Sequence, residues 1–297
     1  MKKERLAYLQ LHFAVLLYGL TAILGDLISI SAVSLVWWRV LITSLSLLFF
    51  VQFGKSIMRL PRKTIMILAG IGVIVALHWI TFYGSIKLAN ASVALAAMAT
   101  TSLYTSIIEP LITGKRFQWL ELILGLLIIP PMLMIATQLD FSYLNGLYVG
   151  LLSAFLAALF ATLNKKMVDA ADAYQVSFLE MSSACLFISL LLPFISNSNL
   201  SFMPVGMDWV YLGILALFCT TLAFVISMKA LKYVSAFDAN LVINLEPVYG
   251  ILLAIIILKE HKEMAPTFYL GIILIMTIVL AHPLLKKILN RNKTFNA

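Results

Sequence analysis

One carboxylate lies near the middle of an otherwise apolar stretch of this chain. Glu246 stands about nine residues into the run 237–258, close to the midpoint of a hydrocarbon core of about 30 Å. An ionisable side chain at that depth is costly to insert, so it usually faces a cavity or a partner. Pro247 follows it and removes a backbone donor, which opens the helix at this level. The pattern favours an acid that lines a cavity, but a carboxylate that only holds helices together would leave the same pattern.

An aromatic face with an imidazole on it occurs in the run 64–86. His78, Trp79, Phe82 and Tyr83 fall within an arc of about 140° when they are placed on a helix. Such a face could be a wall that stacks against a planar or cationic ligand, or it could be ordinary helix packing. A single histidine of this kind is more often a hydrogen-bonded core residue than a proton carrier.

Arg39 and Glu180 are also ionisable residues inside apolar runs. Their depths leave a vertical gap of roughly 10 Å between them, so we expect no ion pair. We interpret them instead as two polar or gating sites at opposite ends of a pathway. Glu109 and Glu121 lie within a turn or two of a run's edge, and we expect their carboxylates to reach the membrane surface.

The composition places these residues in a membrane. Hydrophobic residues make up 62% of the 297 residues, charged residues make up 11%, and the mean hydropathy is +1.02. Apolar runs of about 20 residues can cross the hydrocarbon core as helices. The sequence predicts an all-α integral membrane protein with ten transmembrane helices, at 7–25, 33–53, 64–86, 91–113, 118–137, 144–163, 173–193, 209–228, 237–258 and 266–284.

The chain also contains a weak internal repeat. Residues 86–104 align with 231–249 at a constant offset of 145, and this alignment pairs Glu246 with Thr101. The identities are Lys87 with Lys232, Ala91 with Ala236, Ala94 with Ala239, and Tyr104 with Tyr249. The same alignment places Tyr104 and Tyr249 three residues after Thr101 and Glu246, and therefore on the same helix faces.

The repeat predicts two five-helix domains, 7–137 and 144–284, followed by a cytoplasmic tail, 285–297. An odd number of spans in each copy requires the second copy to be inverted relative to the first. Inverted repeats are typical of secondary transporters, which hold the substrate near the midplane between their halves.

The basic residues predict the orientation in the membrane. If the N-terminus is cytoplasmic, 17 of the 21 Lys and Arg residues lie on the cytoplasmic side. By the positive-inside rule, both termini are then cytoplasmic in a multi-pass protein of the plasma (inner) membrane. The positive net charge is thereby explained by topology, and we expect no nucleic-acid partner. The first apolar run lacks a small-residue cleavage site, and we interpret it as an uncleaved span.

The whole pattern resembles the EamA branch of the drug/metabolite transporter superfamily. Its marks are Trp38-Arg39, the segment SIKLANASVA at 85–94, the segment MKALKYVSAFDANLVINLEPVYG at 228–250, and LKE at 258–260. One departure is Ser102, where members of the family often have proline in the fourth span.

This resemblance implies an exporter or exchanger of small metabolites, such as amino acids or related compounds. It also implies a central cavity formed mainly by the third, fourth, eighth and ninth spans. Carried onto this chain, the cavity would be lined by His78, Trp79, Tyr83, Thr101, Tyr104, Asn244, Glu246 and Tyr249.

Other functions remain open at this stage. A membrane scaffold has no need of acids in mid-span, and an enzyme acting on lipid-linked substrates would need convergent reactive groups. The sequence has no Walker motif and no metal-ligand cluster, so we expect no cofactor and no metal. Gly125 and Gly271 could allow close packing of the fifth and tenth spans, which leaves a homodimer open.

Overall fold

The structure of the protein is a computed structural model. It describes residues 2–51, 57–131, 134, 141–195, 201–243, 245–253, 256–257, 266–267, 269–278, 281 and 285. All the regular secondary structure in these ranges is helical, as the sequence predicts. Asn244 and the tail from residue 286 lie outside the described residues.

We number the α-helices α1 to α13 in chain order. They are α1 (Lys2–Leu27), α2 (Ala32–Leu48), α3 (Arg62–Leu88), α4 (Ala91–Met98), α5 (Thr101–Thr113), α6 (Trp119–Leu126), α7 (Phe141–Met167), α8 (Ala173–Ile195), α9 (Asp208–Ala216), α10 (Ala223–Leu231), α11 (Ala236–Ile243), α12 (Glu246–Leu253) and α13 (Tyr269–Ile278). A single 3₁₀ turn covers Ile57–Arg59, and a π-helical segment, Leu217–Leu222, joins α9 to α10.

Six helical stretches are long and apolar enough to cross a membrane. They are Lys3–Leu27, Arg62–Leu88, Ala91–Thr113, Phe141–Met167, Ala173–Phe194 and Asp208–Leu231. Three shorter apolar helices, Ala32–Leu48, Trp119–Pro131 and Tyr269–Ile278, lie at predicted spans. The protein is therefore a multi-pass membrane protein, and the count of ten spans stays a prediction.

Two helices are interrupted at matching points of the internal repeat. The α4–α5 break falls at 99–100, and Leu245, 145 residues after Thr100, is a turn between α11 and α12. The helices before the breaks begin alike, because Asn90 Oδ1 accepts the Val93 N–H at 2.9 Å and Ser235 Oγ accepts the Asp238 N–H at 2.9 Å. Thr101 and Glu246 are each the first residue after a break.

Helix α3 is held between α7 and α8 by close backbone approaches. A Cβ on Gly72 would overlap the Ser183 hydroxyl and the Glu180 carbonyl of α8. A Cβ on Gly146 of α7 would lie 2.5 Å from the Ala89 Cβ, just beyond the end of α3. Contacts of this kind are typical of membrane helices that use small residues to approach one another. They fix the rotation of α3 and therefore the direction of its aromatic face.

Candidate functional site

A central cavity of about 100 Å³ lies between the two halves of the chain. In this measure a water molecule needs about 10–15 Å³, so the cavity could hold several waters or part of a small ligand. Its wall is mostly apolar, and its polar side chains are Tyr18, Thr21, Arg39, His78, Thr101, Ser227, Asn240 and Glu246. The wall includes α1, α2 and α7 in addition to the spans that the family resemblance implies.

Arg39 is buried in the wall of this cavity, with only 2% of its surface exposed. Its Nε donates to Thr220 Oγ1 at 2.6 Å, and its Nη1 donates to the Tyr83 hydroxyl at 2.8 Å. The guanidinium carbon lies 3.8 Å from the centre of the Trp79 ring, a cation–π distance. The sequence predicts Arg39 at one end of a pathway, whereas the structure places it on the wall of the central cavity.

No carboxylate pairs with Arg39 in the part of the chain that the structure describes. The ion pairs found there, within 4.0 Å, join Lys115 to Glu109 and to Glu121. A buried charge is costly unless it is paired or well solvated by dipoles. Hydroxyl oxygens and a ring face supply part of that solvation here, and Glu246 on the same cavity acts on the charge of Arg39 from beyond ion-pair distance.

The π-helical segment positions the hydroxyl that holds Arg39. Thr220 Oγ1 donates to the Leu215 carbonyl, five residues back, at 2.7 Å, and Thr221 makes the equivalent bond to Ala216 at 2.9 Å. Thr43 of α2 donates to the same Ala216 carbonyl at 3.2 Å. Segments of π-helix are rare and are frequent at functional sites. Thr220 is not among the predicted site residues, because the hydroxyl pair at 220–221 in an apolar run is its only signal in the sequence.

Glu246 is the acid on the cavity wall, and 8% of its surface is exposed. On the same wall, the Tyr18 hydroxyl lies 3.0 Å from Ser227 Oγ and thereby links α1 to α10. Asn240 Nδ2 donates to Thr105 Oγ1 at 2.9 Å and links α11 to α5. The break before α12 therefore presents a carboxylate to the cavity, beside the Thr21 hydroxyl and opposite in charge to Arg39.

The other predicted residues on the wall are engaged in local hydrogen bonds. His78 Nδ1 lies 2.9 Å from the Ser153 carbonyl oxygen and 2.8 Å from its hydroxyl. Thr101 Oγ1 donates to the Met98 carbonyl at 2.6 Å, across the α4–α5 break. Trp79 also lines the cavity and meets Phe224 edge-on, with ring centres 6.3 Å apart. These contacts orient the wall.

Four predicted site residues lie away from the cavity wall. Tyr83 is fully buried behind Arg39 and acts as its hydrogen-bond acceptor. Tyr104 meets Phe155 edge-on, with ring centres 5.7 Å apart. Tyr249 is 38% exposed and packs beside Gly19. Glu180 is buried on α8, where it accepts a hydrogen bond from Asn164 Nδ2 at 3.2 Å.

The expectation that Glu109 and Glu121 reach the membrane surface is wrong. Their exposed fractions are 2% and 3%. Glu109 Oε1 accepts the Ala236 N–H at 3.1 Å, and Oε2 accepts the Phe237 N–H at 2.9 Å. The carboxylate of α5 thus caps the N-terminus of α11, where backbone N–H groups lack helical partners. Lys115 Nζ lies 3.6 Å from each of the two glutamates.

A second set of contacts joins the halves at the opposite end of the bundle. The carboxylate of Asp208, at the start of α9, accepts the Ser29 N–H at 2.9 Å and the Ser29 hydroxyl at 2.6 Å. Nearby, the Ser31 N–H donates to the Ser201 carbonyl at 3.1 Å. At both ends of the bundle, hydrogen bonds therefore join the first and second halves.

Comparisons with known proteins identify the fold. The family model described as the EamA-like transporter family matches residues 5–137 and 144–287. The chain belongs to the EamA-like transporter family. Among 27 matching chains of solved structures, one crystal structure superposes with a TM-score of 0.71 at 16% identity, and the match covers 95% of this chain and 98% of that one. No curated protein matches the sequence.

The family match confirms the resemblance noted in the sequence. It identifies the chain as a membrane transporter of the drug/metabolite type, with two repeats. At 16% identity the solved structure shows a common fold and says nothing about the substrate. The ligand must therefore be argued from the cavity.

Proposed function

We propose that this protein is a secondary transporter that exports small metabolites, such as amino acids or related compounds, across the plasma (inner) membrane by alternating access. One observation carries the proposal. Arg39 and Glu246, a buried cation and a buried acid, line one cavity without forming an ion pair with each other. Groups of opposite sign that are held apart in a low-dielectric site suit a ligand that carries both charges.

The wall supports a specific orientation of such a ligand. A carboxylate of the substrate would complete the neutralisation of Arg39, whose planar guanidinium suits carboxylate oxygens. An ammonium group would face Glu246. The rings of Trp79, Phe160 and Phe224 supply apolar walls for a side chain. These features favour α-amino acids and similar zwitterions over compounds that carry only one charge.

Glu246 is also the group that would couple transport to protons. It follows a helix break near the predicted midplane, and in transporters interrupted helices form the substrate and ion sites. Protonation and deprotonation of one cavity carboxylate would change which ligand the cavity accepts. Its place on α12, in the second repeat, would let it respond to movement of one half against the other.

Replacement of Glu246 by glutamine tests this function. Cells that produce the wild type, Glu246→Gln or Asp169→Asn are given a mixed pool of amino acids and other metabolites, and the medium is profiled by mass spectrometry. Asp169 is an exposed acid outside the cavity and serves as the matched control. We expect the wild type and Asp169→Asn to enrich the same zwitterionic compound in the medium, and Glu246→Gln to enrich it at least tenfold less.

Each alternative outcome has a defined meaning. If Glu246→Gln exports at an unchanged rate and with unchanged pH dependence, then export stands and the coupling role is lost. If the wild type enriches nothing while it is folded in the membrane, export is overturned. Enrichment of compounds without a carboxylate would overturn the assignment to Arg39.

A further inference from the structure

A second and wider cavity opens at the end of the bundle where α1 begins. Its volume is about 710 Å³, and it lies between the start of α1, the end of α2, the start of α8 and the end of α10. Three lysines contribute to its lining: Lys3, Lys229 and Lys232. It is separate from the central cavity and shares no lining residue with it. We call it the basic cavity.

The positive charge of the basic cavity is not neutralised within the described residues. Asp172 is the acid on its wall, and its Oδ1 accepts the backbone N–H groups of Tyr174 at 2.8 Å and Gln175 at 3.1 Å, at the start of α8. Lys229 Nζ donates to the Tyr174 hydroxyl at 3.1 Å, and Lys3 Nζ lies 5.8 Å from the Tyr233 ring centre. Lys229 and Lys3 thus meet neutral groups, and the ion pairs found among the described residues lie elsewhere.

The rim of the basic cavity is apolar and exposed. Leu6 is 55% exposed and Phe50 is 61% exposed, and both belong to the lining. Phe50 also stacks on Tyr174, with ring centres 5.6 Å apart. The rim stands at the start of α1 and the end of α2, and the predicted spans 7–25 and 33–53 place it where lipid headgroups would meet acyl chains. A water-filled site for a soluble anion would have no need of large apolar side chains at this edge.

We propose that the basic cavity binds the headgroup of an anionic phospholipid. The lipid phosphate would contact Lys229, Lys232 and Lys3, and the acyl chains would pass along Leu6 and Phe50. Basic pockets between membrane helices on the cytoplasmic side are suited to anionic headgroups, and this end of the bundle carries the basic excess. The volume of about 710 Å³ is large enough for a headgroup with its glycerol.

Because of the position of the basic cavity, a lipid bound there would affect transport. Helices α1 and α2 belong to the first repeat, and α8 and α10 belong to the second. One headgroup that contacts Lys3 and Lys229 would bridge the two repeats at one end of the bundle. Anionic lipid would therefore stabilise the conformation described here, and transport would depend on the lipid composition of the membrane.

The test titrates the purified full-length protein in neutral detergent with dioctanoyl phosphatidylglycerol and follows the midpoint of thermal unfolding. The variant Lys3→Gln/Lys229→Gln/Lys232→Gln is compared with Lys63→Gln/Arg116→Gln/Lys166→Gln. The control removes the same number of positive charges from exposed residues outside the cavity, on the side predicted to be cytoplasmic. We expect each cavity lysine to contribute about a fivefold change in lipid affinity, so the cavity variant binds on the order of 100-fold more weakly.

Two further titrations identify the source of the phosphate. Dioctanoyl phosphatidylcholine and inorganic phosphate are titrated separately, and neither is expected to shift the unfolding midpoint as phosphatidylglycerol does. An equal shift with inorganic phosphate would mean a site for a soluble anion and would overturn the lipid assignment. An equal loss of affinity in both triple variants would mean diffuse surface attraction and would overturn the site.

The single variant Lys232→Gln covers the case in which the triple variant does not fold. Lys232 is exposed, and its loss is not expected to disturb packing. We expect about a fivefold loss of affinity for phosphatidylglycerol from this change alone. No loss with Lys232→Gln, in a protein that unfolds at the wild-type temperature without lipid, would contradict the proposal.

Discussion

Arg39 occupies a position that lysine could not serve equally well. Its planar group lies 3.8 Å from the Trp79 ring centre while two of its nitrogens donate to hydroxyls at 2.6 and 2.8 Å. A fork of donors on a stacked plane leaves the remaining donors available for a carboxylate. A lysine ammonium carries the same charge but neither the fork nor the plane. If Arg39 holds a substrate carboxylate as proposed, we therefore expect its geometry to matter in addition to its charge.

We predict that Arg39→Lys lowers export of the substrate by about tenfold or more, because charge-assisted hydrogen bonds of this kind are worth about 1.5–3 kcal/mol. The measurement is the initial rate of efflux from proteoliposomes, with protein amount and monodispersity matched. Arg116→Lys is the control, because Arg116 is exposed and outside the cavity. A rate within twofold of wild type for Arg39→Lys would show that only the charge of residue 39 is used.

The sequence identified the charged residues of the site but not their partners. Arg39 and Glu246 stood out because ionisable residues are rare in apolar runs. Thr220 did not, since threonine in a membrane helix usually bonds to its own backbone, and only the π-helical turn shows its second role. Glu109 was misjudged for a related reason. Its depth suggested exposure, whereas its function as a cap depends on a helix 127 residues away.

At the scale of elements, the paired helix breaks place one polar residue at the same position in each repeat. The alignment at an offset of 145 paired Thr101 with Glu246, and the structure starts α5 and α12 at those two residues. One copy places a hydroxyl after the break and the other places an acid. The repeat could be detected in the sequence because capping residues and small residues occur near both breaks. In the second copy an acid–proline pair, Glu246-Pro247, follows the break, whereas in the first copy Ser102 stands in place of the proline.

The close packing of α3 on α8 gives a prediction about stability. Gly72→Ala would place a Cβ 2.8 Å from the Glu180 Cα and in overlap with the Glu180 carbonyl. Because backbone cannot move aside as a side chain does, we expect a loss of about 3 kcal/mol or more. Gly70→Ala on the same helix has open space and should be neutral or slightly stabilising. The measurement is the unfolding midpoint of both purified variants in one detergent.

Equal midpoints for Gly72→Ala and Gly70→Ala would show that α3 and α8 can separate without cost. Gly125 illustrates why such contacts could not be assigned from the sequence. It was a candidate for packing between copies of the chain, whereas its Cβ would lie 2.8 Å from the Leu103 backbone of α5. Its close approach is explained within one chain, and a homodimer stays a prediction.

At the scale of the whole molecule, hydrogen bonds join the two repeats at both ends of the bundle. Glu109 joins α5 to α11 at one end, and Asp208 joins the α1–α2 connection to α9 at the other. Each contact pairs the first repeat with the second. If the repeats rock about the central cavity, these contacts must break in alternation. The basic cavity lies at the Glu109 end and would add a lipid to the contacts that keep that end in place.

Alternation predicts that fixing one end stops transport. In a protein with Cys185 and Cys219 replaced by serine, the pair Ser29→Cys/Asp208→Cys would place two thiols where a hydroxyl and a carboxylate now meet at 2.6 Å. We expect an oxidant or Hg²⁺ to cross-link them and reduce efflux at least tenfold, and dithiothreitol to restore it. Each single cysteine variant should transport equally before and after oxidation.

A second cysteine pair controls for the effect of removing the Asp208 carboxylate. Ser31 and Ser201 meet through their backbones at 3.1 Å, so Ser31→Cys/Ser201→Cys tests the same end with Asp208 intact. Cross-linked protein should still bind substrate from the opposite end of the bundle, which is predicted to be cytoplasmic, as measured by a shift of the unfolding midpoint, because only the Asp208 end is fixed. Full efflux from protein that is demonstrably cross-linked at either pair would mean that this end never opens. The substrate would then have to leave between helices, and alternating access about the central cavity would be the wrong mechanism.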